Sequence, residues 1–432
     1  MSFNKTQLIV FGLIGLVVLI LALVLLDVLP GLKSSSGQPT VITGSVKIWG
    51  VFDETSDYQT VFANLQTIYP KVTVTYQGFA NTKDYESSLL DALAAGQGPD
   101  IFMIRNNTLA KDINKIIPVP TTLFSYVNFQ NLFPQIVAQD FATQGRIYAL
   151  PLSIDTLALI YNRDLLDQAA LEPPQTWEDL IKDVPALLKT DKTKNISRAA
   201  AALGGSRNIN NAADILNLLM LQTGTQMTAP DFSKATFASQ EGVNALSFYT
   251  QFADAKNNAY TWNASLPNSI DMFSQGNLAI IFDYHSAIAQ IKARNPFLNL
   301  GISAMPQPQT AQKSITYPNY WGLAVSRQSR NPNLAWNIIL ALTTNTQNAQ
   351  AYLAAAQKPP ALRSLVNNYA NDPILNVYAK QILIARDWPE TDSNAIAEIF
   401  LRAIEAVLSN ANPLAALNQA ETQVSQIINK RL

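Results

Sequence analysis

The stretch 46-VKIWGVFDETSDYQTVFANLQTIYPKVTVTY-76 decides the fold class. Val46, Ile48 and Phe52 bound a strand-like run. Tyr58, Phe62, Leu65 and Ile68 then recur at helical spacing, and Val72, Val74 and Tyr76 alternate at period two. Outward from it, Tyr85, Leu89 and Leu93 mark another helix closed near Gly96. The run Asp100-Ile101-Phe102-Met103-Ile104 suits a buried parallel strand. This alternation predicts an α/β lobe with a mainly parallel sheet. Ligands of such sheets bind beyond the carboxyl ends of the strands, which singles out Phe52 and Asp53, then Arg105, Asn106 and Asn107. Asp53 equally suits a helix cap, and asparagine is a common turn residue.

Further along, Thr176 with Asp179 reads as an N-cap and its reciprocal acid, so a helix starts in Pro173-Pro174-Gln175-Thr176-Trp177-Glu178-Asp179-Leu180. Phe273-Ser274-Gln275-Gly276 ends a helix before the apolar strand Leu278-Ala279-Ile280-Ile281-Phe282, and Asp283, Tyr284 and His285 hang from that strand. Toward the C-terminus, Ile396, Ile399, Phe400, Ala403, Ile404 and Val407 form one helical stripe and Leu414, Leu417, Val424, Ile427 and Ile428 another.

The chain has 432 residues, enough for two lobes of ordinary size. Its 30 Lys plus Arg are balanced by 31 Asp plus Glu without charge runs, which argues against a nucleic-acid partner. Cysteine is absent, which excludes disulfides, thiolate metal sites, Cys nucleophiles and a lipidated cysteine; His285 is the one histidine. The sequence contains no Gly-x-Ser-x-Gly elbow, His-Glu-x-x-His or P-loop, so no enzyme class, cofactor or metal is expected. The rival reading is a glycoside-processing enzyme with paired carboxylates, which composition alone leaves open.

Between Lys5 and Asp27 lies an uncharged apolar stretch centred on Leu8 to Leu26, which as a helix spans about 30 Å. No small-x-small cleavage site follows, so an uncleaved signal anchor is expected, with the N-terminus inside. Ser34-Ser35-Ser36-Gly37-Gln38-Pro39 reads as a flexible stalk, and the folded body is expected from residue 41.

Taken in order, several short pieces of this chain resemble the bacterial extracellular solute-binding proteins of the maltose-binding type. They are Trp49-Gly50, Gly98-Pro99-Asp100, Tyr148-Ala149-Leu150-Pro151, Leu159-Ile160-Tyr161-Asn162-Arg163-Asp164-Leu165, the Pro173–Leu180 stretch, Phe273–Ile280, Met305-Pro306 and Ala335-Trp336. The resemblance implies a two-lobed periplasmic-binding-protein fold with crossing hinge strands, preceded here by one N-terminal transmembrane helix. It implies a membrane-tethered, extracytoplasmic substrate-binding component of an ABC importer, with a monomeric body. Its partners would be a small polar ligand, a sugar first among them, and a membrane permease. A sensory or structural binding protein would carry the same clamp. The lobes would comprise 41–154 plus 306–345 and 155–305 plus 346–432, with crossings near Asp155, near Ile302 to Met305 and near residue 345.

By the same resemblance, Asp155 serves the ligand or the hinge, and Tyr320 and Trp321 line the cleft. Asp283, Tyr284 and His285 occupy a ligand loop where relatives often carry Gly and Trp, Tyr284 replacing the stacking ring. His285 also suits a hydrogen-bonded structural role. Trp49, Trp177 and Trp336 lie in strand or helix patterns and read as packing residues, whereas Trp262 and Trp388, in polar or proline-containing stretches, join Trp321 as ligand candidates. Arg363, after Pro359-Pro360, is a further candidate or a surface charge.

Overall fold

The computed structural model describes Asn4, residues 13–19, residue 23, residues 43–193 and residues 195–430. Met1–Thr43 and Gly44–Leu432 form separate compact units. In the first, residues 13–19 are helical. The rest of the expected membrane span, apart from residue 23, lies outside the described residues, and among those described no helix is long and apolar enough to cross a membrane.

Two hydrophobic cores organise the second unit, each around one sheet. The first sheet runs in the order Lys71–Phe79, Thr43–Val51, Ile101–Arg105, Trp321–Ser326, Ile116–Ile117. Thr43–Val51 lies parallel to Ile101–Arg105, as the alternation of strand and helix predicts. Trp321–Ser326 enters antiparallel, pairing Trp321 with Arg105 and Val325 with Ile101, because the chain reaches it from the opposite lobe. Ile101–Arg105 is sandwiched by packing on both faces, which explains its unbroken apolar run.

The second sheet, in the order Lys189–Thr190, Ile196–Ala201, Leu278–Asp283, Ala158–Asn162, Leu300–Ser303, is mixed. Ile196–Ala201 and Leu278–Asp283 are parallel, while Ala158–Asn162 runs antiparallel to both of its neighbours. Helix starts and stops obey local chemistry. Thr176 Oγ1 accepts the Asp179 N–H at 3.0 Å and donates to Asp179 Oδ2 at 2.7 Å, the expected cap. Gly276, at φ +76, ends the helix Ser269–Ser274 where an L side chain would be strained.

The chain passes between the cores through two paired strands, Asp155–Thr156 and Pro318–Asn319, with Thr156 opposite Pro318. The first core holds residues from Val46 to Ile154 and from Tyr320 to Val366, with Ala379, Ile382 and Ala385; the second holds Leu157 to Tyr317, Tyr378, and Trp388 to Ile428. The crossings therefore fall at residues 155–156, 317–320 and 378–388, later than expected for the second and third. Leu300–Ser303 is an inner-lobe strand rather than a hinge, and Gln307 and Ile315 stay bonded to Gln222 of the second lobe. The helix Thr346–Ala356, expected in the second lobe, packs in the first. Tyr352 stands against Tyr58 with ring centroids 5.1 Å apart, and Asn64 bonds Asn348.

Trp262 and Trp388, expected at the ligand, are core residues. Both are buried in the second lobe, with indole N–H groups bonded to Asn208 Oδ1 at 3.1 Å and Asn217 Oδ1 at 2.9 Å. Trp177 and Trp336 are buried as expected. Trp262→Ala should lower unfolding free energy by about 3–5 kcal/mol in urea titration, the cost of emptying a large aromatic site; a loss under about 1 kcal/mol would mean the ring is not part of this core.

Candidate functional site

Between the two cores, over the paired crossing strands, lies a cleft of about 860 Å³. The first lobe contributes Phe52, Asp53, Glu54, Phe79, Trp321 and Lys358; the hinge contributes Ser153, Asp155, Asn319 and Tyr320; the second lobe contributes His285 and Ser286. The strand ends that the sheet topology singles out supply the walls on both sides.

Phe52 follows the first strand with φ +65, a left-handed conformation that costs a bulky residue of order 1–3 kcal/mol. Its N–H still bonds the Phe79 carbonyl at 2.9 Å, and the residue, which lines the cleft, is 54% exposed. Trp321 meets that ring edge-on, centroids 6.4 Å apart and planes at 71°, so the two form an aromatic corner.

Asp53 is buried and bonded inward. Its Oδ2 accepts the hydroxyls of Tyr58 at 2.7 Å and Tyr352 at 2.9 Å, and its Oδ1 pairs with the Lys358 ammonium. Lys358 keeps partial exposure at the cleft edge, where its ammonium also reaches the Phe52 carbonyl at 3.5 Å. The residue follows Gln357, which caps the helix Thr346–Ala356 in the left-handed region.

Asp155 ties the hinge to the second lobe. Its Oδ1 accepts the N–H groups of Thr156 and His285, each at 2.8 Å, and its Oδ2 accepts that of Ser286 at 3.0 Å. The helix Ser286–Arg294 thus has its first N–H groups satisfied by a carboxylate 130 residues away. Burial pushes the Asp155 carboxyl up to about 6 against the pull of these bonds and of Lys358. His285 packs edge-on to Tyr378, and burial pushes its imidazole down to about 4, so it is neutral at physiological pH.

The other candidates lie behind the walls. Tyr284 is buried and gives its hydroxyl to Asp214 at 2.7 Å, so it offers no stacking face; His285 takes the cleft position instead. Asp283 is buried, accepting from Asn211 at 2.7 Å and from the Tyr284 N–H, and burial pushes it up to about 7. Asn106 bonds Asp387 at 2.6 Å, and Asn107, at φ +57, accepts the Glu390 N–H through its carbonyl. Arg105 faces the buried acids Asp214 and Glu390. Arg363 is exposed and donates to the Phe133 carbonyl at 2.7 Å, away from the cleft.

Of the sequence candidates the cleft gathers Phe52, Asp53, Asp155, His285, Tyr320 and Trp321. It adds Glu54, Phe79, Ser153 and Lys358, which sequence reasoning missed. Glu54 is contiguous with Asp53, and Lys358 directly precedes the Pro359-Pro360 pair, the only local signals for either.

Two α/β lobes, paired crossing strands and an aromatic-lined cleft between them define a two-lobed solute receptor. The chain belongs to the bacterial extracellular solute-binding protein family, whose profile matches residues 51–349. It is 21% identical over 369 residues to the maltotriose-binding protein of Pyrococcus abyssi, covering 81% of this chain and 74% of that one. It is 23% identical over 432 residues to the galactooligosaccharide-binding protein of Bacillus subtilis, covering 92% and 93%. Among solved structures, the cyclic α-maltosyl-1,6-maltose binding protein from Arthrobacter globiformis superposes with a TM-score of 0.76 at 18% identity, covering 90% of this chain and 100% of that one.

Burial also pushes Asp140 up to about 7 and Glu390 to about 8. The folded state therefore keeps protons that the unfolded chain releases near pH 4, and the stability they lend is lost as pH rises through the folded values. His285, pushed down to about 4 in the fold, has the opposite sign and partly offsets this fall until about pH 7.5, above which it is neutral in both states. The melting temperature should fall steadily from about pH 6.5 to about pH 8.5 in a calorimetric series; a flat or rising profile would contradict the buried protonated carboxyls.

Proposed function

We propose that this chain is the extracytoplasmic substrate-binding component of an ABC importer and that it captures an oligosaccharide in the interlobe cleft by lobe closure. The observation that carries the reading is the composition of the cleft: the aromatic corner Phe52–Trp321 beside the polar groups of Asn319, Ser153, Lys358 and Glu54. Flat apolar rings meet the C–H faces of pyranose units, and fixed polar groups meet their hydroxyls. A volume of about 860 Å³ is at the upper end of the range for small-molecule sites, which favours several sugar units over one. Membership of the solute-binding family and the sugar-binding names of relatives support the same class of ligand.

The lobes meet at the paired hinge strands, so a ligand touching both walls favours the closed arrangement, which a permease can distinguish from the open one. Two of the three carboxylates lining the cleft are committed, that of Asp53 to Tyr58, Tyr352 and Lys358 and that of Asp155 to three backbone N–H groups, which leaves Glu54 without a second free carboxylate and supports binding over paired-carboxylate turnover. The apolar segment Leu8–Leu26 has the length and the missing cleavage site of a membrane anchor, which would hold the receptor beside its permease.

A thermal-shift screen of the full chain against maltodextrins, galactooligosaccharides, monosaccharides, amino acids and peptides tests the ligand class. A sugar at 100 times its dissociation constant should stabilise by about 2.7 kcal/mol, and stabilisation by amino acids or peptides alone would contradict it. With that sugar, Phe52→Ala and Trp321→Ala should each weaken binding by about 1–3 kcal/mol in titration calorimetry. Unchanged affinity in both would remove the aromatic corner from the site. For the anchor, the full chain should sediment with membranes and survive a carbonate wash, whereas recovery in the soluble fraction would refute it.

A further inference from the structure

Two of the residues lining the cleft, neither of them glycine, hold their backbones in the left-handed region: Phe52 at φ +65 and Gln357 at φ +51. Such a conformation persists only where the surroundings over-determine it. Each of the two stands next to one member of the same ion pair. Asp53 follows Phe52, Lys358 follows Gln357, and the Lys358 ammonium pairs with the Asp53 carboxylate across 305 positions of sequence. The carboxylate is 1% exposed and the lysine side chain 28%, so the pair has one end in the first lobe and the other at the cleft surface. With its acid out of water the pair is screened far less than one at the surface, and it holds its geometry.

The turn that carries Phe52 is held from three sides. The strand Lys71–Phe79 backs it: the Phe52 N–H bonds the Phe79 carbonyl at 2.9 Å, and a Cβ at Gly78 would strike the Asp53 carbonyl. From inside the lobe, Tyr58 and Tyr352 donate to Asp53 Oδ2 at 2.7 and 2.9 Å. From the cleft side, Lys358 Nζ meets Asp53 Oδ1 and lies 3.5 Å from the Phe52 carbonyl, so one ammonium touches both residues of the turn. The Phe52 ring itself has little to fix it. The residue is 54% exposed, and its ring meets Trp321 only edge-on, centroids 6.4 Å apart.

We propose that Lys358 is a positioning residue for Phe52: by clasping the Asp53 carboxylate and the Phe52 carbonyl it sets the affinity of the cleft for a sugar through the Phe52 ring rather than through a contact of its own. With the clasp in place the ring stands ready beside Trp321, and the cost of ordering the turn is met in folding instead of on binding. Without the ammonium the turn keeps its bond to Phe79 but loses its tie to the end of the helix Thr346–Ala356, which Gln357 caps. The left-handed strain at Phe52 then relaxes and the ring leaves the corner. The inference rests on the cleft being the sugar site.

The test uses the full chain and titration calorimetry with maltotetraose on wild type, Lys358→Met, Phe52→Ala and the double variant. Lys358→Met should weaken binding about tenfold when Phe52 is present and about twofold or less in the Phe52→Ala background, since the two changes remove one and the same contribution. An equal loss in both backgrounds would mean that Lys358 meets the sugar itself, and no loss in either that the clasp does not govern the site; each result overturns the proposal. Lys358→Met leaves the buried Asp53 without its cation, so Asp53→Asn with Lys358→Met, which leaves no unpaired charge, is run beside it and should show the same loss. A readout without sugar separates the clasp from the cleft reading. In protein labelled with para-fluorophenylalanine, the fluorine resonance that disappears in Phe52→Leu should shift and broaden in both clasp variants. An unchanged resonance would overturn the proposal whether or not maltotetraose binds, whereas a changed one with no maltotetraose binding would keep the clasp and fail the cleft reading for that sugar.

Discussion

The Asp155 carboxylate is the constraint on which the rest of the structure depends. It stands in the first of the two hinge strands and accepts the first N–H groups of the helix that carries the second-lobe wall. A buried carboxylate costs several kcal/mol unless its lone pairs are met, and a helix start leaves N–H groups that need acceptors. Each satisfies the other, so the hinge, His285 and the cleft face of the second lobe are fixed by one set of bonds. Across the cleft, Asp53 does the same for the first lobe, holding Tyr58 of the next helical turn together with Tyr352 and Lys358, 299 and 305 positions on, at the end of the first strand.

These two acids divide the site into fixed and free parts. The fixed part is polar and hydrogen-bonded; the free part is aromatic, with Phe52 held outward by a strained backbone and Trp321 by its pairing to Arg105. Preorganised rings of this kind lower the ordering cost of capturing a flexible sugar chain. The strain at Phe52 and the buried acid Asp140, which accepts the Tyr320 hydroxyl, are costs in stability that a simple packed domain would not carry, and both lie within one layer of the cleft.

Much of the fold was legible because its signals are local. The period-two run Val72 to Tyr76, the Thr176 cap and Gly276 each act within a few residues, and each appears where the sequence puts it. What failed depended on distant partners. Trp262 and Trp388 read as exposed because their flanks are polar, yet Asn208 and Asn217, 54 and 171 positions away, satisfy their indoles inside the core. The lobe boundary after residue 345 was misplaced because the partner of Thr346–Ala356 is a helix 284 residues earlier, through Asn64 and Asn348. Within the site, strand-end reasoning found Phe52, Asp53 and Trp321, but it could not distinguish Tyr284, turned inward to Asp214, from its neighbour His285. Lys358 escaped because its role comes from an ion pair with Asp53, 305 positions away.

Capture by closure around a sugar is the central claim, and small-angle scattering of the full chain with and without saturating maltodextrin tests it most directly. The account predicts a smaller radius of gyration on binding, as the two lobes rotate about the paired strands Asp155–Thr156 and Pro318–Asn319. A sugar that binds with measurable affinity yet leaves the scattering profile unchanged would contradict it.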